Sequence, residues 1–147
     1  MPDVQNQGPP RARIIETVES GLAARARGDK EAMRAFLAPG ATFRIAGDRT
    51  SFGAVPAGPA EARDVLGALV DLISFHDHER LDTIVEGNRA AIRWRIDFSI
   101  GGGPVTTTEV LDLWTFDEDG KIADLLQFVD TALLARMAPA APAAPGG

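Results

Sequence analysis

The sequence predicts an α+β domain in which a curved antiparallel (mixed) sheet wraps around three N-terminal helices. Three observations carry this. Apolar residues recur at helical spacing in three stretches before residue 75. From Phe75 onward the pattern changes to alternation, most regularly over Ala91–Ile100 and Val105–Phe116. Between the last two β-rich runs, Asp119-Gly120 supplies the positive-φ residue that a short hairpin needs.

Taken in order, residues 1–10 are polar with Gly8-Pro9-Pro10 and residues 138–147 repeat Ala-Pro before Gly-Gly. Neither stretch holds enough apolar surface to offset the entropy of ordering, so both are expected to be disordered tails around a domain at 11–137. Arg11 to Ala26 is the first helix, with Ile14, Ile15, Val18 and Leu22 on one side, ending near Gly28. Asp29 can cap a second helix from Lys30 to about Leu37, which Pro39-Gly40 stops.

Ala41–Ile45 alternates as a short strand. The Gly- and Pro-rich GDRTSFGAVPAGP that follows is a loop over one end of the fold, and Pro59 suits the first turn of a third helix, Ala60 to about Ser74. Glu79–Val85 is expected as a strand and Gly87-Asn88 as a turn. The long strand Ala91–Ile100 comes next, then a Gly-Gly-Gly-Pro turn, the strand to Phe116, and a closing strand from Ile122 to about Thr131.

At 147 residues the chain suits one domain. Its net charge of −6, with basic residues scattered among acids, lacks the electrostatic footprint of a nucleic-acid binder. It has no cysteine, which excludes disulfides and thiolate chemistry and fits a reducing, cytoplasmic setting. No signal-type or membrane-spanning apolar run is present, so no membrane partner is expected. The glycines form no phosphate-binding pattern and the serines no nucleophile elbow.

The strand Val105–Phe116 places Thr106, Thr108, Val110, Asp112, Trp114 and Phe116 on one face. Asp112 is an acid among apolar neighbours, the arrangement in which a carboxyl's proton affinity rises. It is the first candidate catalytic residue. Trp94, Ile96 and Phe98 on the preceding strand, with Val110, Trp114, Phe43 and Phe128, are candidate walls for a small hydrophobic ligand or, equally, ordinary core. His76-Asp77-His78 puts two imidazoles two residues apart, on one face if the strand is regular, and His78 is the second candidate for acid–base work. No metal-ligand spacing accompanies it, and no metal or cofactor is expected.

The order of elements, the stretch EVLDLWTFDEDGKIADLLQF and the helix-one exit GDKEAMRAFLAPGATF resemble the nuclear transport factor 2-like superfamily. The nearest branches are the SnoaL-like polyketide cyclases and the ketosteroid isomerases, and the likeness runs from Arg11 to about Met137. It implies a cone-shaped pocket inside the sheet. It also implies a homodimer through the outer sheet face, where Leu111 and Leu113 would otherwise be exposed. The implied activity is cofactor-independent proton transfer of the isomerase, cyclase or lyase type on a hydrophobic carbonyl compound. The alternative is a ligand-binding or dimerisation module without catalysis.

Carried over residue by residue, Asp112 falls where the isomerases keep a protonated acid that stabilises an oxyanion. Their tyrosine falls at about Gly21 and their basic aspartate at Ile45. The Arg95-Ile96-Asp97 triplet resembles the Arg-x-Asp of limonene-epoxide hydrolases. Counting back from Asp112 puts Arg95 and Asp97 on the outer face, and the last-strand acid is replaced near Gln127.

Overall fold

The computed structural model describes residues 9–47 and 60–137. The two tails, but for the last residues of the first, and the loop from 48 through Pro59 lie outside the described residues.

Helix α1 (Arg11–Arg27) buries Ile14, Val18 and Leu22 at the predicted spacing. It closes on Gly28, at φ 70°, where Gly28 N–H donates to Arg25 O and Asp29 N–H to Ala24 O. That pair of bonds satisfies carbonyls the helix end leaves open. The Asp29 side chain then accepts from Ala32 N–H at 3.0 Å and starts α2 (Lys30–Ala35). Pro39-Gly40 does not end a helix as expected. It lies inside strand β1 (Leu37–Ile45), because α2 has already stopped at Ala35.

Ala60–Glu61, expected as helix, instead forms a two-residue edge strand, β2, that pairs with β1, and α3 runs over Ala62–Leu72. The chain then passes without a loop into β3 (Ile73–Glu86), twice as long as the expected Glu79–Val85. Its first half carries polar and charged side chains, which hid it from an apolar alternation test. Strands β4 (Arg89–Ile100), β5 (Thr106–Phe116) and β6 (Ile122–Phe128) complete an antiparallel meander. The closing strand is three residues shorter than expected, since Thr131–Met137 folds as a fourth helix, α4, with Leu133 N–H bonded to the Asp130 carboxylate at 2.9 Å.

The sheet order is β2-β1-β6-β5-β4-β3, and β1 pairs parallel with β6. The sheet is therefore mixed and open, with the helices against its inner face. Phe43, Ile92, Trp94, Ile96, Phe98, Val110, Trp114, Phe116 and Leu125 form that face and pack under Ile14, Val18 and Leu22 of α1 and Val65 and Leu69 of α3. Along one inner row, Ile45 is level with Gln127, Gln127 with Asp112 and Asp112 with Ile92. No helix among the described residues is long and apolar enough to cross a membrane.

Candidate functional site

Between the sheet and the helices lies a cavity of about 100 Å³, open to solvent on one side and lined almost wholly by apolar atoms. Its walls include Phe43, Ile96, Phe98, Val110, Trp114 and Leu125 from the sheet, and Leu22, Leu66 and Leu69 from the helices. Asp112 stands in this wall with 2% of its surface exposed.

β5 brings Asp112 inward by simple alternation: Val110, Asp112 and Trp114 are buried while Glu109 and Leu111 are exposed. Gln127, the adjacent inner-face residue on β6, donates its amide to Asp112 Oδ1 at 3.0 Å. Burial pushes the Asp112 carboxyl up from 3.8 to about 7. The Gln127 hydrogen bond and the nearby Trp94 indole act in the opposite direction and only moderate the shift. The Trp94 and Trp114 indole N–H groups are both buried without a hydrogen-bond partner among the described residues. A buried donor left without a partner is costly.

A second polar group enters from α1. Arg25 is 7% exposed, and its Nη2 donates to Ile73 O at 2.7 Å and Leu69 O at 3.2 Å, at the end of α3. Its guanidinium lies 4.1 Å from the centre of the Phe75 ring, a cation–π arrangement. Burial lowers its pKa to about 10, so it remains cationic at neutral pH.

Of the residues expected around a ligand, Phe43, Ile96, Phe98, Val110, Trp114 and Asp112 line the cavity. Trp94 does not. It is fully buried in the core beside the wall, level with Val110, with no surface exposed. Phe128 is 43% exposed and pairs with Leu111 on the outer face, because the inward residues of β6 are Leu125 and Gln127. Gly21 and Ile45, where isomerases keep tyrosine and base, both face the cavity, so neither polar group has a substitute at its own position.

The His76-Asp77-His78 segment lies within the first half of β3. A bulge between Phe75 and Asp77 breaks the alternation that would have put both imidazoles on one face. His76 Nε2 meets Ser99 Oγ at 2.8 Å. His78, level with Ile96, packs edge-on against Trp94 at 6.0 Å between ring centres and is outside the cavity lining. Arg95 and Asp97 lie on the outer face, where Arg95 bonds Asp97 at 2.8 Å, Asp77 at 3.0 Å and Glu79 at 3.4 Å. That network holds Asp77 below the usual carboxylate range, chiefly through the Arg95 hydrogen bond.

The sequence reading passed over Arg25 and undervalued Gln127. Arg25 continues the buried stripe Ile14, Val18, Leu22 one turn further, and a charge on an apolar stripe was the available signal. Gln127 could be found only from register, which sets it beside Asp112 across fifteen residues of sequence.

An open mixed sheet with helices packed against its inner face defines a nuclear transport factor 2-like fold. The sequence matches the SnoaL-like domain over residues 18–125, and the chain belongs to that family. A proposed isomerase from Rhodopseudomonas palustris superposes with a TM-score of 0.70 at 16% identity, covering 85% of this chain and 94% of that one. TerC, co-crystallised with polyporic acid, gives 0.70 at 17%, covering 85% and 97%. An LEH-like epoxide hydrolase of M. tuberculosis gives 0.65 at 16%, covering 84% and 87%. At these identities the likeness is one of fold. No curated protein matches the chain significantly.

Proposed function

We propose that the protein binds a small hydrophobic carbonyl compound in this cavity and moves a proton on it without a cofactor, as an isomerase or cyclase does. The supporting observation is Asp112, a fully buried carboxyl in an apolar wall with a pKa of about 7. A group poised there both takes and returns a proton near neutral pH. Ionised Asp112 removes a proton beside the carbonyl. Phe43, Ile96, Phe98 and Val110 hold the apolar body and exclude water. His78 has no part in this chemistry, since it stands outside the cavity lining. A cytoplasmic setting goes with this reading, on the lack of cysteine alone.

The test is exchange of carbon-bound hydrogen in D2O, followed by NMR on a small cyclic enone. Wild type is expected to accelerate exchange, with a rate that rises as pH passes through about 7 and then levels. Asp112→Asn is expected to lower it by about 10²–10⁴-fold. An equal rate in the two proteins would remove Asp112 from the mechanism. The second reading, binding without catalysis, is favoured by the apolar residues at Gly21 and Ile45. It predicts that the enone binds, is recovered unchanged and exchanges no faster than in buffer.

We also propose that two copies pair through the outer sheet face. Leu111 and Phe128 are adjacent there at 39% and 43% exposure, and Ile84, at 64%, is level through Ala91 and Leu113 with Leu126. A strip of this kind is the usual site of a self-complementary contact. Leu111→Lys is expected to shift the sedimentation coefficient from dimer to monomer. A wild-type protein that is monomeric at every concentration would refute the pairing.

A further inference from the structure

Arg25 is the buried charge that the proton-transfer chemistry leaves unused. Its surroundings account for only part of it. Among the described residues, both of its hydrogen bonds come from Nη2, to carbonyls where α3 ends and β3 begins. Among the described residues it has no carboxylate partner within ion-pair distance, and Nε and Nη1 have no hydrogen bond. Yet it lines the cavity with 7% of its surface exposed. Burying a guanidinium without an anion is expensive, and carbonyl dipoles and the Phe75 ring offset only part of that cost. A side chain whose only task was to close α3 would not need to line an apolar pocket.

We propose that Arg25 binds an anionic group of the ligand, a carboxylate or an acidic enol, at the end of the cavity away from Asp112. The register sets the two ends apart. Phe75, under the guanidinium, is level with Phe98 and through it with Thr106, whereas Asp112 is six residues further along β5. Between them lie the apolar side chains of Ile96 and Val110. The ligand is therefore an apolar molecule with two unlike polar ends: an acidic group that Arg25 fixes and a carbonyl whose neighbouring carbon meets Asp112. With Nη2 held by the two carbonyls, Nη1 is left to donate to an anionic oxygen, a charge-assisted hydrogen bond that a neutral amide of the same shape cannot match. This inference rests on the pocket reading above and narrows its substrate class.

The test uses 2-naphthoate and 2-naphthamide, nearly identical in shape, titrated calorimetrically at pH 6, where Asp112 is mostly neutral and does not repel an anion. Wild type is expected to bind the naphthoate at least about tenfold more tightly, the gain of a hydrogen bond between charged groups. Arg25→Gln is expected to reduce that preference to less than about twofold while leaving naphthamide affinity unchanged. Should the glutamine variant fail to fold, the wild-type preference and its retention in Arg25→Lys decide. Equal binding of the two probes by wild type, a preference that survives Arg25→Gln, or no binding of either probe at millimolar concentration overturns the inference. Each of these leaves the hydrogen-exchange test of Asp112 standing, so the two readings fail separately.

Discussion

Asp112→Asn is expected to gain roughly 3 kcal/mol of stability relative to wild type as pH rises from about 4.5 to 8. The sign follows from the direction of the shift. Burial raises the folded-state pKa of Asp112 from 3.8 to about 7. Between these values the folded chain keeps a proton that the unfolded chain has released. The protonated, neutral carboxyl is at home in the apolar wall, so its site is most stable at the acid end of the window. Stability falls as pH climbs toward about 7 and is level above it, where both states are ionised. Asparagine cannot ionise and can still meet the Gln127 amide, so its variant lacks this slope. Urea unfolding of both proteins across the window reads the difference directly. Parallel curves would mean that Asp112 is solvated in the folded protein. The same slope, absent from the variant, would establish the neutral-to-charged transition on which the proton-transfer proposal depends.

Trp94→Ala is expected to cost about 3–5 kcal/mol, the loss of a large ring from a packed interior. Trp94 is the largest fully buried side chain, with no exposed surface, and sits on the inner face of the sheet level with Val110. Trp94→Phe is expected to cost less than about 2 kcal/mol, because it keeps most of the volume and removes an indole N–H that makes no full hydrogen bond among the described residues. Phe128→Ala, at a residue 43% exposed, should cost less than about 1 kcal/mol in the monomer. Chemical unfolding of the three variants at one low protein concentration checks the order. Comparable losses for Trp94→Ala and Phe128→Ala would contradict the placement of the two aromatics on opposite sides of the sheet.

That contrast shows where sequence reasoning stopped. Trp94 and Phe128 look alike in the chain, each an aromatic residue in a β-rich run. The parity of β4 was legible because five apolar residues alternate with polar ones from Ile92 to Ile100. In β6 the sequence Ile122-Ala-Asp-Leu-Leu-Gln-Phe has two adjacent leucines, so either parity satisfied the pattern, and the register with β5 shifts inside it, between Ile122 and Asp124. Asp112 was legible for the opposite reason, as a charge on an unambiguous apolar face. Arg25 carried the same kind of signal on α1, but arginines at helix ends commonly reach solvent, and only the docking of α3 shows that this one cannot.

The sequence by itself determined part of the element order and several faces: α1 with its Gly28 stop, the Asp29 cap, the strands β4 and β5, and the inward aim of Asp112. These follow from periodicity and local backbone chemistry, which act over a few residues. Only the tertiary structure decided what those faces meet. The bulge at His76 separated two histidines that a regular strand would have kept together. The register of β5 with β6 gave Asp112 its Gln127 partner, and the seating of α1 against α3 and β3 enclosed Arg25. Each of these joins residues far apart in the chain, where strand register and burial, rather than local preference, set the contact and with it the pKa and the chemistry.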